Sequence, residues 1–391
     1  MNNLNADVII VGAGIVGNSA AYYLRKNGVS CIVLDEDMIG NGGSSRNGGG
    51  VRQSGRDPRE FGLAAYAVKH IWPYISEELG FDIEYRQTGY LVCGYNEEHY
   101  KSISSRIETA ASFGVDMEMK CGDEVKDICP YVSEHVTCAG WTPSDGVANP
   151  MRTTLAYYIR AREKGAVFIT GEKAVGINKV KGHARQVITK NGNIYEGDKI
   201  IVAAGYHGRQ LLETVGISVP LQKKLNEMIV TEPTEKLFDF MIGGMSGFYG
   251  QQTEHGSFVF GSPSGREYCF FEQDKPISTA VTASFICNSL GVDLAILKGL
   301  KVVRAWSGWV DINLDGVPVV GSVEEVPGLL TVIGSSGHGF GIGPAVGYCL
   351  ADMACDKPSP VDISKLHFDR FDYLNKQPRY QYASGGGALI R

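Results

Sequence analysis

Two glycine-rich segments, one near each end of the chain, carry residue types suited to binding a phosphate-containing ligand. The first is Gly12-x-Gly14-x-x-Gly17, which follows the apolar run DVIIV at 7–11, and Asp35 ends the next apolar run. Gly12 permits a tight turn, Gly14 lets a pyrophosphate approach, and Gly17 lets helix and strand pack closely. Asp35 can accept hydrogen bonds from a ribose. Together they predict dinucleotide binding; a glycine-rich turn in another kind of α/β sheet is the alternative.

The second segment, residues 329–348, reads LLTVIGSSGHGFGIGPAVGY. Such a density of glycine keeps side chains away from something that the backbone must approach closely. Pro344 is expected at the first position of a helix, where free N–H groups and the positive end of the dipole face the loop. The segment's five closely spaced glycines are Gly334, Gly337, Gly339, Gly341 and Gly343. Both ends of the sequence are therefore expected to contact one ligand.

Residues 40–52, GNGGSSRNGGGVR, form a third glycine-rich loop. Ser44, Ser45 and Arg46 could bind phosphate or ribose, and residues 48–50 would let a flat ring lie against the backbone. A flexible surface loop explains the same composition equally well. A further strand, KIIVAAG at 199–205, ends in small residues where a ligand can again approach the backbone.

The elements that must position these loops alternate between strand and helix. Helical patterns cover 18–27, 57–79, 97–113, 149–164 and 278–290, and strand patterns include 30–34, 81–93, 136–141, 224–231, 257–261 and 300–309. Because the mixed segment 219–312 interrupts the nucleotide-binding parts, the second domain is predicted to be inserted.

Composition excludes several classes of protein. The net charge of −6 gives no basic surface for nucleic acid, and no apolar run reaches the ~20 residues that span a bilayer. The leader MNNLNAD lacks the features of a signal peptide. The nine cysteines are scattered without CxxC spacing, which predicts reduced thiols, no metal site and a cytoplasmic protein.

These motifs, with DGVPVVG at 315–321, occur in the order found in a known group of enzymes. The chain resembles the FAD-dependent amine oxidoreductase superfamily, which includes glycine oxidase, sarcosine oxidase and D-amino-acid oxidases. Within it, the chain most resembles catalytic β subunits of hetero-oligomeric enzymes: sarcosine oxidase, proline or hydroxyproline dehydrogenases, and opine oxidases.

The resemblance implies an α/β fold in which a Rossmann-like FAD-binding domain carries an inserted α+β substrate domain, built on a mostly antiparallel sheet. We assign residues 1–82, 146–218 and 312–374 to the FAD-binding domain, 83–145 and 219–311 to the substrate domain, and 375–391 to a C-terminal tail. The predicted cofactor-binding residues are Gly12, Gly14, Ile15, Val16, Gly17, Asp35, Glu36, Ser44, Ser45, Arg46, Asn47, Gly48, Gly49, Val175, Ala204, Gly205, Gly308, Gly337, His338, Gly339, Phe340, Gly341 and Ile342.

The resemblance also predicts how the flavin is attached. Relatives with a covalent flavin supply a cysteine or a histidine; here Gly308 and Asn47 stand at the corresponding positions. We therefore expect non-covalent FAD. Its isoalloxazine is expected between the loops at 44–50 and 337–345.

An amino acid substrate requires a cation for its carboxylate. Arg52 matches the carboxylate-binding arginine of monomeric sarcosine oxidases, although a structural or phosphate-binding arginine is an equal alternative. The lysine that those enzymes carry after GHGF is Gly341 here, and the carboxylate arginine of glycine oxidases would fall near Val310. Both losses favour a cyclic imino acid or a bulkier secondary amine such as an opine.

The predicted catalytic residues are His338, Arg52 and Tyr249. Further pocket candidates are Gln251, Arg266, Arg304, Trp306 and Trp309, for the last two of which plain aromatic packing is the safer expectation.

The predicted function is FAD-dependent oxidation of a C–N bond of an amino or imino acid (proline, hydroxyproline, sarcosine or an opine) by hydride transfer to flavin N5. Electrons are expected to pass to a partner subunit or acceptor, which favours a dehydrogenase over an oxidase. The alternatives are a stand-alone glycine-oxidase-like enzyme that uses O₂, a non-catalytic flavin-binding subunit, and an NAD-dependent dehydrogenase. An enzyme that uses only NAD would not need the loops at 44–50 and 334–343. No nucleic acid and no membrane span are expected.

Overall fold

A computed structural model describes residues 3–262, 267–268, 273–278 and 280–371. In chain order its strands are β1 (Asn3–Asn5), β2 (Val8–Val11), β3 (Cys31–Asp35), β4 (Gly50–Val51), β5 (Tyr90–Gly94), β6 (Glu118–Cys121), β7 (Cys138–Thr142), β8 (Gly146–Val147), β9 (Val167–Thr170), β10 (Ala174–Val180), β11 (His183–Thr189), β12 (Ile194–Glu196), β13 (Lys199–Val202), β14 (Leu221–Pro233), β15 (Met241–Gly244), β16 (Tyr249–Gln252), β17 (Ser257–Gly261), β18 (Val302–Asn313), β19 (Val319–Ser322) and β20 (Leu329–Ile333).

The α-helices are α1 (Ile15–Lys26), α2 (Pro58–Tyr66), α3 (Ile75–Leu79), α4 (Glu97–Ser112), α5 (Asp123–Ile128), α6 (Pro150–Glu163), α7 (Gly208–Glu213), α8 (Ala280–Asp293) and α9 (Gly339–Ala354). The helical patterns of the sequence are thus confirmed. The strand pattern at 81–93 is too long, because only β5 forms there. The predicted tail at 375–391 lies outside the described residues.

A six-stranded sheet in the order β19-β20-β13-β2-β3-β9 carries the first glycine loop. Its strands are parallel except for β19, and β2, β13 and β20 are almost entirely buried. Helices α1, α6 and α9 cover one face, while α7 and the four-stranded sheet β1-β12-β11-β10 cover the other. Burial on both faces explains why these strands are continuously apolar.

An eight-stranded sheet in the order β18-β14-β17-β16-β15-β5-β7-β6 forms the second layer. It is antiparallel except where β15 pairs with β5. One face packs against α5 and α8, and the other carries Tyr90, Met241 and Tyr249. The predicted α/β fold class, with a Rossmann-like domain and a second, mostly antiparallel sheet, is confirmed. The predicted domain boundaries remain a prediction.

No helix among the described residues is both long and apolar enough to cross a lipid bilayer.

Candidate active site

The first glycine loop is shaped by close contacts between backbones. Gly12 has a φ of +107°, and a Cβ added there would lie 2.4 Å from the carbonyl oxygen of Ala203. A Cβ on Gly17 would lie 1.9 Å from the carbonyl oxygen of Gly12. Any side chain at either position would therefore separate α1 from β2 and β13. These two glycines are required by packing.

Gly14 differs from these two glycines. A Cβ there would meet only the Ser44 side chain, at 2.9 Å from its hydroxyl oxygen. That oxygen accepts a hydrogen bond of 2.9 Å from the backbone N–H of Ile15, in the first turn of α1. The third glycine-rich loop thus reaches the N-terminus of α1, where a helix binds phosphate.

Asp35 lies at the carboxyl end of β3, beside the first loop. Its Oδ2 accepts a hydrogen bond of 2.7 Å from the Ala13 N–H, and its Oδ1 accepts one of 2.9 Å from the Asp37 N–H. Burial raises the pKa of Asp35, although both bonds act in the opposite direction. Each carboxylate oxygen retains capacity for another donor.

The neighbouring Glu36 borders a cleft of about 260 Å³, which is also lined by Asp37, Lys173, His207, Asp274 and Lys275. Lys173 Nζ lies 2.8 Å from Glu36 Oε2. Val175, two residues further along, is 45% exposed on β10. Gly205 follows β13 and has open space where its Cβ would be.

The loop at 40–52 is not a flexible surface segment over its whole length, because Gly48 and Gly49 are buried. Gln251 Nε2 donates to the Gly48 carbonyl at 2.8 Å, and a Cβ on Gly48 would lie 3.1 Å from the Tyr249 ring. Asn47 donates to the Ser44 carbonyl at 3.0 Å and accepts from the Gly49 N–H at 2.9 Å. These bonds hold the loop against β16.

Arg46 fixes the same loop to β18. Its Nη1 donates to the Ser307 carbonyl at 3.0 Å and its Nε to the Asn41 carbonyl at 3.1 Å, while Trp306 Nε1 donates to the Arg46 carbonyl at 3.2 Å. Gly308 lies beside the Arg46 side chain, because its Cβ would be 3.1 Å from that of Arg46. The structure thus places Arg46 and Trp306 in loop packing.

The second glycine segment corrects one prediction. Pro344 is not the first residue of the helix: α9 begins at Gly339, and Pro344 lies within it. A proline there has no N–H to donate to the Phe340 carbonyl. The free N–H groups of the helix start belong to residues 339–341, which brings them closer to the loop than predicted.

Helices α1 and α9 pack side by side in the same direction. Cβ atoms added to Gly343 and Gly347 would lie 2.7 Å from the Ile15 side chain and 2.0 Å from the Ser19 hydroxyl. Their positive ends therefore face the same edge of the six-stranded sheet. The side chains of Ile15, Val16, Phe340 and Ile342 are buried in the core, so only their backbones can contact a ligand.

Asp311 on β18 holds the loop before α9. Its Oδ2 accepts a hydrogen bond of 2.8 Å from the Gly334 N–H, and its carbonyl accepts one of 2.9 Å from the Ser336 N–H. Burial raises the pKa of the Asp311 carboxyl to about 6, although the N–H groups of Gly334 and Ser335 lower it. A Cβ added to Gly337 would lie 3.8 Å from the Val310 side chain.

His338, whose side chain is 26% exposed, lies against two buried charged residues, Glu60 and Arg56. Its Nδ1 lies 3.1 Å from Glu60 Oε1, and Arg56 Nη1 lies 3.7 Å from the same oxygen. Burial and the charge of Arg56 lower the pKa of His338. Burial would raise the pKa of Glu60, but His338 and Arg56 together lower it. Among the described residues, neither His338 Nδ1 nor the Glu60 carboxylate has a hydrogen-bond partner, so their 3.1 Å contact lacks hydrogen-bond geometry.

Gly341 also contacts this cluster. A Cβ there would lie 3.2 Å from the Gly50 carbonyl oxygen and 3.4 Å from Arg56 Nη2. Trp72 Nε1 donates to the Gly341 carbonyl at 2.7 Å. The space that a lysine would need is thus taken by the backbone of β4 and by a guanidinium.

Arg52 lies beside β4 with its guanidinium over the Tyr90 ring, at 5.2 Å from the centroid. In the described part of the chain, this guanidinium has no acidic partner within ion-pair distance. The hydroxyl of Tyr249 accepts a hydrogen bond of 2.6 Å from Asn226 and donates one of 3.2 Å to Met228 Sδ. An unpaired guanidinium beside two tyrosines can bind a carboxylate.

Asp145 holds the two residues that follow Arg52. It accepts hydrogen bonds from the Gln53 N–H at 2.8 Å and from the Ser54 hydroxyl. Burial raises the pKa of Asp145, while these bonds and the Arg52 charge lower it. The carboxyl thus fixes the loop that follows Arg52.

Three remaining pocket candidates lie away from this cluster or outside the described residues. Arg304 is exposed over the Trp306 ring. Trp309 Nε1 donates to the Asp274 carbonyl at 3.0 Å, and Lys223 Nζ lies 4.1 Å from its ring. Arg266 lies outside the described residues.

Several residues of the site were not predicted from the sequence: Arg56, Glu60, Tyr90, Asp145 and Asp311. Glu60 stands three residues after Asp57, which caps α2 by accepting from the Arg59 N–H. This spacing is typical of a capping-box glutamate, which is usually exposed. Only the fold shows that Glu60 faces His338 instead.

Comparison with known proteins identifies related chains. The model of the family described as "DAO: FAD dependent oxidoreductase" matches residues 7–353. The β subunit of sarcosine oxidase from Arthrobacter sp is 26% identical, covering 94% of this chain and 91% of that protein. An opine oxidase subunit from Rhizobium meliloti is also 26% identical, covering 94% and 98%. The solved structure of L-proline dehydrogenase from P. horikoshii is 27% identical, with a TM-score of 0.88 over 95% and 99% of the two chains.

The residues of this chain fit FAD. Two parallel helix N-termini face one edge of the sheet, and a Cβ on Gly14, at the start of α1, would meet only the Ser44 side chain. Gly42 and Gly205 have no atom within 4 Å of an added Cβ, which leaves room beside both loops. Asp35, at the end of β3, can still accept a hydrogen bond from a ribose hydroxyl.

Proposed function

The chain belongs to the DAO family of FAD-dependent oxidoreductases and acts on amino acids or amines; within that class, we propose that it is a dehydrogenase of a secondary amino or imino acid. Proline, hydroxyproline, sarcosine and opines are the candidate substrates. We propose that the electrons pass to a partner subunit or acceptor, since two of the relatives are named as subunits.

The Arg52 guanidinium carries this proposal. It is partly buried, lies over Tyr90 and is unpaired in the described chain, so it can form a bidentate pair with the substrate carboxylate. Asp145 fixes Gln53 and Ser54, the two residues that follow Arg52. Tyr249, fixed by Asn226, bounds the same space.

Bound FAD supplies the oxidation itself, because it accepts a hydride from the carbon next to the substrate nitrogen. The start of α9 provides N–H groups and a positive dipole end, which stabilise negative charge without reorganising. A neutral imidazole at His338, in contact with Glu60, can accept the proton that the substrate nitrogen gives up.

We propose that FAD is held without a covalent bond. Asn47 is engaged in backbone hydrogen bonds, and Gly308 has no side chain to react. Acid precipitation of the yellow protein should release all of the flavin into the supernatant; flavin that remains with the pellet would contradict this.

The decisive experiment is anaerobic reduction of the purified holoenzyme. Proline, hydroxyproline, sarcosine, glycine and an opine are added separately, and loss of flavin absorbance is followed. Bleaching by a secondary amine, with slow recovery in air, supports the dehydrogenase. Fast recovery in air with peroxide formation indicates an oxidase. A flavin that none of them bleaches would indicate a non-catalytic flavin-binding subunit.

A further inference from the structure

Three arginines of the described chain, Arg52, Arg106 and Arg304, have neither a hydrogen-bond acceptor nor an acidic partner for their guanidinium. Other arginines have such partners; Arg59, for example, lies 2.6 Å from Asp315. Arg304 is exposed, whereas Arg52 and Arg106 are partly buried. An unpaired guanidinium that is partly removed from water is costly unless an anion binds there.

Arg106 extends from α4 toward the loop that carries Arg52. Ile103 and Ala110, three residues before and four residues after it, are fully buried, so Arg106 leaves the helix near its packed face. Its Nη1 lies 3.6 Å from the position that a Cβ on Gly55 would take. The guanidinium thus lies beside Gly55, three residues after Arg52 on the same loop.

Tyr90 connects the two guanidiniums. Arg52 lies over its ring, and burial raises the pKa of Tyr90 while the charges of Arg52 and Arg106 lower it. Burial and the charge of Arg52 lower the pKa of Arg106, which Tyr90 partly offsets. No hydrogen bond of the Tyr90 hydroxyl is found among the described residues. We call Arg52, Tyr90 and Arg106 the double-arginine site.

The site lacks acids to pair with its two guanidiniums. Arg56, nearby, lies 3.7 Å from Glu60, but Arg52 and Arg106 have no acid within ion-pair distance in the described part of the chain. A ligand with one carboxylate can pair with one of these two guanidiniums, whereas a ligand with two carboxylates can pair with both.

We propose that the double-arginine site selects a secondary amine that carries two carboxylates, with Arg52 binding one carboxylate and Arg106 the other. This inference rests on the proposed function, because it names the substrate class of the same pocket. Arg106 is a specificity-determining residue that contacts only the carboxylate remote from the oxidised bond. The Tyr90 hydroxyl donates to whichever carboxylate lies between the two arginines.

Binding without turnover tests the proposal. The probes are thiodiacetate, in which sulfur replaces the amine between two carboxymethyl groups, and (methylthio)acetate, which lacks one carboxylate. Their dissociation constants are measured on the holoenzyme from the change in flavin absorbance. We expect thiodiacetate to bind at least about tenfold more tightly, and Arg106→Leu to remove this advantage while changing the (methylthio)acetate constant less than about twofold.

Arg162→Leu is the matched control, because it removes an exposed guanidinium from α6 and is expected to leave both constants unchanged. Equal binding of the two probes to the wild type, or equal weakening of both by Arg106→Leu, would overturn the inference. Anaerobic bleaching separates this from the proposed function. If sarcosine bleaches the flavin as readily as iminodiacetate, only the inference fails; if no amino or imino acid bleaches it, the proposed function fails.

Discussion

The two sides of the candidate site differ in the groups that form them: one is formed by backbone and the other by side chains. The cofactor side consists of backbone: Gly12, Gly14 and Gly17, together with the starts of two parallel helices, determine its shape. The substrate side consists of side chains such as Arg52 and His338, which are brought together from distant segments. A binding surface made of backbone depends on the absence of side chains, so it tolerates few substitutions. Substitutions in a pocket made of side chains can change which ligand binds while the fold remains.

The largest expected effect is on the backbone side. In Gly17→Ala, the new Cβ would lie 1.9 Å from the Gly12 carbonyl oxygen, so we expect a loss of about 3 kcal/mol or more in unfolding free energy, together with loss of bound flavin. Urea unfolding measures the free energy, and flavin absorbance measures the bound cofactor. Gly42→Ala, in open space, should change stability by less than about 0.5 kcal/mol. Equal effects of the two substitutions would refute the contrast between closed and open glycines.

The next effect concerns the charged cluster that joins the two sides. Glu60→Gln leaves Arg56 buried without an anion, and we expect a loss of about 3 kcal/mol, measured by urea unfolding. Glu78→Gln, which removes the partner of the exposed Lys26, should cost less than about 1 kcal/mol. A Glu60→Gln protein as stable as the wild type would show that the cluster contributes nothing to folding.

A smaller effect is expected from the substrate side alone. Arg52→Met should raise the substrate KM by about 10- to 100-fold, because a charge-assisted pair with the carboxylate is lost. Flavin content and unfolding free energy should stay near those of the wild type, since the Arg52 guanidinium has neither an acidic partner nor a hydrogen-bond acceptor in the described chain. Arg52→Lys should restore part of the affinity. An unchanged KM would assign carboxylate binding to another residue.

The smallest effect, taken per pH unit, is a dependence of stability on pH. The pKa of Asp311 is raised to about 6 in the folded protein, so the folded state holds its proton more tightly than the unfolded state does. The contribution of Asp311 to stability is therefore full below about pH 4 and is lost as pH rises toward 6, by at most about 1.4 kcal/mol per pH unit.

Asp311→Asn cannot titrate and should lack this slope. Urea unfolding of both proteins between pH 4 and 6 gives their unfolding free energies. We expect the wild type to lose stability relative to Asp311→Asn as the pH rises. A difference that is constant over this range would mean that Asp311 titrates normally in the folded protein.

How far sequence reasoning reached differs between the two sides. The glycine spacing, the acid at Asp35 and the apolar strand 8–11 identified the family and the cofactor, both confirmed. The start of α9 was placed too late, because Pro344 marked a helix start that Gly339 in fact occupies. On the substrate side, Glu60 and Arg106 were missed, since each resembles an ordinary polar residue of a surface helix.

The sequence alone determined the class of cofactor and the order of the elements, because turn glycines and apolar periodicity are local properties of neighbouring residues. Only the tertiary structure decided which charges meet. Glu60 faces His338 across 278 positions, and Arg106 reaches the loop of Arg52 from another sheet layer. Such contacts depend on how helices and sheets pack, and no local pattern of residues encodes them.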